Sequence, residues 1–295
     1  MNIRRVQKSW KSRPTVEGAG VHLRRAFGFH EAGQFDPFLL LDAFKSENPD
    51  DYKNGFPWHP HRGIETITYV LDGDIEHQDS LGNGGVISSG DVQWMTAGGG
   101  ILHQEMPRGD RRGQMWGFQL WANLPAKNKM TPARYQEIKE GKIPAVKTPE
   151  GAMVRVICGE AAGARGPVQG LAIDPEFLDV TLPADRTFTH PVKAGRTAFA
   201  YVVEGEAYFD PGPGLMPEGP IDAAQAKAFP EDTLALFGPG DIILAASSKR
   251  SARFLLVSGQ PIKEPIAWYG PVVMNTQDEL KTAFEELDRG TFIKR

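Results

Sequence analysis

One cysteine, Cys158, stands in 295 residues, so neither an intrachain disulfide framework nor a cysteine-rich zinc site can form. Histidine and carboxylate are the plentiful metal ligands that remain. No apolar run of about 18 residues occurs, which leaves no candidate for a membrane-crossing helix. Excess basic charge is also missing: 33 Lys and Arg against 37 Asp and Glu give a formal charge of −4, which disfavours direct binding of nucleic acid. The stretch from Met1 to Pro14 carries Arg4, Arg5, Lys8, Lys11 and Arg13 without an apolar core, so it does not read as a secretory signal. A soluble chain in a reducing, cytoplasmic compartment is the expectation.

Turn-forming residues, by contrast, are abundant. The 33 glycines and 23 prolines point to an all-β fold rather than a helical bundle. Phe35 to Phe44 is an apolar run bounded by turn formers, and Ile64 to Leu71 is rich in β-branched residues and stops at Asp72-Gly73, so both read as strands. Gly-rich punctuation between Asp79 and Gly100 leaves only short strands, the rhythm of a small barrel or sandwich. The charged stretch Lys127 to Thr148 reads as a connector. Beyond it the pattern returns: Tyr69-Val70-Leu71-Asp72-Gly73 as Tyr201-Val202-Val203-Glu204-Gly205, and Gly90-Asp91-Val92 as Gly240-Asp241-Ile242. Two copies of one β-domain follow, with residues 1–135 as the first, 136–150 as a linker and 151–295 as the second. Thr276 to Arg289 carries Leu280, Phe284 and Leu287 at helical spacing behind an acidic first turn, which predicts a closing amphipathic helix.

The chemistry concentrates in Trp58-His59-Pro60-His61-Arg62-Gly63, where two histidines at spacing two on an extended segment share a face. Continuing that parity puts Glu65, Ile67, Tyr69 and Leu71 on the same face and turns Thr66 and Thr68 away. A second group lies in Gly100-Ile101-Leu102-His103-Gln104-Glu105, where His103 and Glu105 share a face by the same rule. Three histidines and one carboxylate suit a mononuclear divalent metal with exchangeable positions, whether Fe(II), Mn(II), Ni(II) or Zn(II). Spacing alone leaves Glu65 and Glu105 both available as the fourth ligand. His22, His30, His77 and His190 read as ordinary imidazoles, Cys158 as a small buried hydrophobe, and Arg62 as either a surface group or a charge behind the ligands. Trp58, Trp94, Trp116, Phe118 and Trp121 read as core, with lining of a cavity for a planar ligand as the alternative. Overlaid on the second half, His59, His61, His103 and Glu105 fall opposite Pro191, Lys193, Arg253 and Leu255, so one metal per chain is expected.

At these residues the chain resembles the pirins, members of the cupin superfamily. The resemblance is carried by His59-Pro60-His61-Arg62-Gly63, by Gly90 to Gly98, by Gly100 to Pro107 and by Phe35 to Asp42, and it extends over most of the chain. It implies two tandem cupin domains, the second degenerate, and one Fe(II) held by His59, His61, His103 and Glu105, with Glu65 a non-ligand. It further implies either a quercetin 2,3-dioxygenase or an iron-dependent, redox-sensitive regulator working through a protein partner. In the first case the substrates are a planar, flavonol-like phenol and O2, carbon monoxide is released, and Glu105 serves as both ligand and base. A zinc sugar-phosphate isomerase on the same fold would want a cationic pocket, for which Arg62 is the one obvious candidate. The resemblance also inclines toward a monomer. Asp210 to Phe229 departs from the family as a Pro-rich excursion.

Overall fold

The computed structural model describes residues 2–209, 221–222 and 225–294, which places most of the Pro-rich excursion outside the described residues. The fold is mostly β, in two compact units. One comprises Arg13–Glu140 with Ile262–Arg295, the other Met1–Ser12 with Gly141–Pro261. This differs from the contiguous division into 1–135 and 151–295. Val6–Lys11 pairs with Thr233–Phe237 as an edge strand of the second unit, while Ile262 and Lys263 donate backbone N–H bonds to the Asp36 carboxylate of the first. Local pattern reveals that a strand or helix exists, not which sheet it joins, so an exchange of chain ends leaves no trace in periodicity. The connector is also shorter than Lys127 to Thr148: Arg134–Ile138 pairs with Val92–Thr96 in the first unit, and Ala145–Lys147 pairs with Met153–Cys158 in the second.

In the first unit a seven-stranded sheet runs in the order Arg134–Ile138, Val92–Thr96, Ile64–Asp72, Met115–Asn123, Phe38–Ser46, Val21–Phe27, Arg13–Glu17. A four-stranded sheet runs Phe56–His61, Ile101–Arg108, Asp74–Asp79, Gly84–Ser88. Alternation of side chains sends Val21, Leu23, Phe44, Val70 and Met115 from the larger sheet into one buried cluster with Ile75 and Ile87 from the smaller. The second unit is built around the sheet Val6–Lys11, Thr233–Phe237, Thr197–Tyr208, Ile242–Gly259, Glu176–Leu182, Met153–Cys158, Ala145–Lys147. The closing helix is present as Gln277–Asp288, started by a capping box in which Thr276 and Glu279 satisfy each other's backbone N–H groups. It buries Leu280 and Ala283 with Phe292 in the first unit.

A corner at Arg62-Gly63 separates the His59 strand from Ile64–Asp72 and moves the chain from the smaller sheet to the larger. Gly63 has φ +79, and a Cβ on it would lie 1.9 Å from the Val273 carbonyl oxygen, so only glycine fits. The corner is fixed by the buried Lys129, whose Nζ donates to the carbonyls of Gly63 and Val273 and to Asn123 Oδ1 at 2.7–2.9 Å. It also overturns the parity reading across it. Glu65 turns to Trp94 and Thr96, whereas Thr68, expected to face away, reaches Glu105. Replacing Gly63 with Ala combines left-handed strain with a backbone clash, and should lower stability by at least about 3 kcal/mol in denaturant titrations.

Candidate metal centre

His59 and His61 lie on Phe56–His61, and His103 lies on Ile101–Arg108, cross-strand from His59. The antiparallel register therefore brings the three rings together: centroids are 4.8 Å apart for His59 and His61, 4.4 Å for His59 and His103, and 5.0 Å for His61 and His103. One ligand atom from each lies within 4.8 Å of the others, and among the described residues no second group of three such side chains forms.

Hydrogen bonding fixes which nitrogens face inward. His59 Nδ1 sits 2.9 Å from the Pro57 carbonyl and His61 Nδ1 sits 3.2 Å from the Pro271 carbonyl, and a carbonyl can only accept. Each ring thus carries its proton on Nδ1 and turns a lone pair inward at Nε2. The two Nε2 atoms are 3.0 Å apart, so lone pair faces lone pair with no proton between them. His103, 1% exposed, has no protein hydrogen-bond partner on either ring nitrogen. Desolvation lowers all three imidazoles below their ordinary range, His61 and His103 furthest, with mutual repulsion adding to the effect in those two. Buried, neutral and convergent imidazoles fit a divalent cation and lack any other use for their lone pairs.

Glu105 stands at the edge of the cluster, its Oε2 4.0 Å from His103 Nε2. A register shift between His103 and Glu105 in the pairing with the His59 strand keeps the carboxylate beside the cluster and outside its tightest group. Burial pushes its carboxyl up to about 7, partly offset by Thr68 Oγ1, which donates to Oε1 at 3.3 Å. Glu65, the rival carboxylate, accepts from Trp94 Nε1 at 3.0 Å and Thr96 Oγ1 at 2.7 Å, and both of its oxygens are thereby engaged away from the histidines.

The centre opens into a cavity of about 460 Å³, within the range of about 300–1,000 Å³ that accommodates small organic ligands. Of the five aromatic residues considered from sequence, Trp121 lines it, edge-on to His61 at 5.1 Å. Trp94, Trp116 and Phe118 are core, and Trp58 is 51% exposed. Trp268 and Phe29 extend the aromatic wall, with centroids 6.0 Å from Trp121 to Trp268 and 5.4 Å from Trp268 to Phe29, and Phe44, Tyr52 and Phe56 line the same cavity. Sequence reasoning missed Trp268 and Pro271 because both lie in the half assigned to the other domain; the Trp268 to Pro271 turn carries no ligand-type signal. Arg62 proves to be neither a surface group nor a pocket cation. It is 2% exposed, donates to the Gly99 carbonyl at 2.9 Å and to the Phe292 carbonyl, and pairs with Glu286 at 2.7 Å.

In the other unit, Arg253 makes a two-pronged pair with Asp179 at 2.7 and 2.9 Å, Leu255 is core, and Lys193 pairs with Asp174. His190 Nε2 lies 3.5 Å from Glu176, and Cys158 is buried with Sγ donating to backbone carbonyls.

Along most of its length this chain is similar to known proteins. The Pirin family model matches residues 20–122, and the model of the pirin C-terminal cupin domain matches 177–293. A pirin-like protein of Caulobacter vibrioides is 43% identical over 99% of this chain and 100% of its own length. Human pirin is 40% identical over 95% of this chain and 91% of its own. A crystal structure of quercetin 2,3-dioxygenase from Acinetobacter baumannii superposes with TM-score 0.85 at 33% identity, covering 98% of both chains.

Metal analysis of ligand variants tests the assignment. His61→Ala should lose bound metal, whereas Glu65→Gln should retain the stoichiometry of the unaltered protein, since its loss breaks bonds to Trp94 and Thr96 and none to the cluster.

Proposed function

Because this chain belongs to the pirin family, we propose that it is a metal-dependent dioxygenase of the quercetin 2,3-dioxygenase type, opening a flavonol-like ring with O2 and releasing carbon monoxide. The observation that carries this reading is the joining of three neutral, convergent imidazoles to an aromatic-walled cavity in one unit. The proposed ligands are His59, His61, His103 and Glu105, and the proposed resident ion is Fe(II). Mn(II), Ni(II) and Zn(II) suit the same donors, and affinity order alone does not choose among them. A bound ion would supply Lewis acidity and exchangeable positions beside the ring to be opened.

The chain's own residues supply the remainder. Trp121 and Trp268 offer apolar faces against which a planar phenol stacks, which orients it and displaces water. Glu105 Oε2 lies 4.0 Å from His103 Nε2, so this carboxylate, released from the ion as substrate enters, would be placed to take the proton of the substrate's 3-hydroxyl. Thr68 Oγ1 lies 3.3 Å from the other oxygen of that carboxylate and 2.8 Å from Gln119 Oε1, so its one proton is shared between the two acceptors. A redox-sensing regulator would need the metal alone, and leaves the cavity without a role.

The test is anaerobic purification, reconstitution with each of the four metals in turn, and measurement of flavonol bleaching and carbon monoxide under O2. Metal-dependent bleaching with carbon monoxide release, abolished in His61→Ala, is expected. One metal bound per chain with no turnover of any flavonol would contradict the proposal and favour the regulator.

A further inference from the structure

The cavity is not apolar throughout. Across the larger sheet, Thr68 is paired with Gln119, Gln119 with Asp42, and Asp42 with Arg25, so these four occupy one transverse row on four adjacent strands. Residues directly opposite each other point to the same face, and strands are spaced about 4.8 Å, so the row runs about 10 Å from Thr68 to Asp42. At its inner end Thr68 Oγ1 reaches Glu105 at 3.3 Å and Gln119 Oε1 at 2.8 Å. At its outer end Arg25 donates from Nε and Nη2 to the two oxygens of Asp42 at 2.8 and 2.7 Å, and its Nη1 lies 2.9 Å from Glu17. Glu105, Gln119, Asp42, Arg25 and Glu17 all line the cavity that holds His59 and His61.

The geometry points to Asp42 as a specificity-determining residue whose carboxylate accepts a hydrogen bond from a hydroxyl on the end of the substrate remote from the histidines. Within the flavonol-like class, a terminal hydroxyl is thereby selected over a terminal carboxylate. This inference rests on the substrate-cavity reading above and assigns the residue that selects among its substrates. Each Asp42 oxygen accepts one bond from Arg25 and keeps a second lone pair for a donor. The guanidinium is a poor anion receptor, because its Nε and Nη2 edge is turned to Asp42 and its Nη1 to Glu17, and two carboxylates against one cation leave that end negative. Two strand spacings, about 10 Å, separate Thr68 beside Glu105 from Asp42, which exceeds a single phenol ring and suits a linked, planar ring system.

Three probes separate the possibilities: 3-hydroxyflavone, its 4′-hydroxy derivative and its 4′-carboxy derivative. Affinity is read from quenching of tryptophan fluorescence, since Trp121 and Trp268 line the cavity, and kcat/KM is read separately. The 4′-hydroxy compound should bind about tenfold tighter than 3-hydroxyflavone, and the 4′-carboxy compound weaker than either. Asp42→Asn should bring the hydroxyl preference to within about twofold. Should that variant fail to fold, Glu17→Gln, at a more exposed position, should keep the hydroxyl preference and narrow the penalty on the carboxylate. Equal binding of 3-hydroxyflavone and its 4′-hydroxy derivative overturns the proposal, as does an unchanged preference in folded Asp42→Asn. Turnover without discrimination overturns the role of Asp42 and leaves the dioxygenase standing. Discrimination in binding without turnover of any probe does the reverse, and quenching by none of them overturns both.

Discussion

Two imidazole lone pairs held 3.0 Å apart in a desolvated pocket are the constraint to which the rest of this unit answers. Carbonyls of Pro57 and Pro271 hold each proton on the far side of its ring, and neither ring can relieve the repulsion by turning without leaving its carbonyl unpaired. Burial then removes the other escape, protonation, by disfavouring the imidazolium of either ring. A cation between the nitrogens satisfies all of these demands together. The fold stores this geometry through pieces far apart in the chain: the carbonyl facing His61 is 210 residues away, and Lys129 ties Gly63, just past the ligand strand, to Val273.

Function follows from how that centre joins its cavity, since a cupin-type fold alone is compatible with many reactions. The two units make the point within one chain. Where the first unit carries four ligand candidates, the positions matched to them in the second include Arg253 in a pair with Asp179, Lys193 in a pair with Asp174, and Leu255 in the core. Ion pairs and packing have taken the places that ligands hold in the first unit, while a β-rich architecture is kept. The polar row from Thr68 to Arg25 gives the first unit's cavity one hydrogen-bonding wall, in which each Asp42 oxygen takes one bond from Arg25 and keeps a lone pair toward the cavity.

Much of this was legible in the residues. His59 and His61 at period two, His103 on a strand of its own, and the turn chemistry around Gly98 to Gly100 suffice to bring three rings together once the strands pair. Leu280, Phe284 and Leu287 at helical spacing behind an acidic first turn mark the closing helix, whose capping box at Thr276 the structure adds. What escaped has a common physical cause. Period-two reasoning holds along one strand, and the left-handed Gly63 ends that strand, so Thr68 and Glu65 exchanged the faces expected of them. Likewise Trp268, Pro271 and the burial of Arg62 under Phe292 depend on the final segment joining the first unit, a tertiary choice that local periodicity does not encode.

X-ray absorption at the metal edge of the Fe(II)-reconstituted protein tests the central claim most directly, because it counts imidazoles around the ion regardless of whether any substrate turns over. Three imidazoles with additional oxygen ligands are predicted, falling to two imidazoles or to loss of the ion in His103→Ala. A bound ion coordinated by fewer than two imidazoles, or unchanged by His103→Ala, would contradict the account.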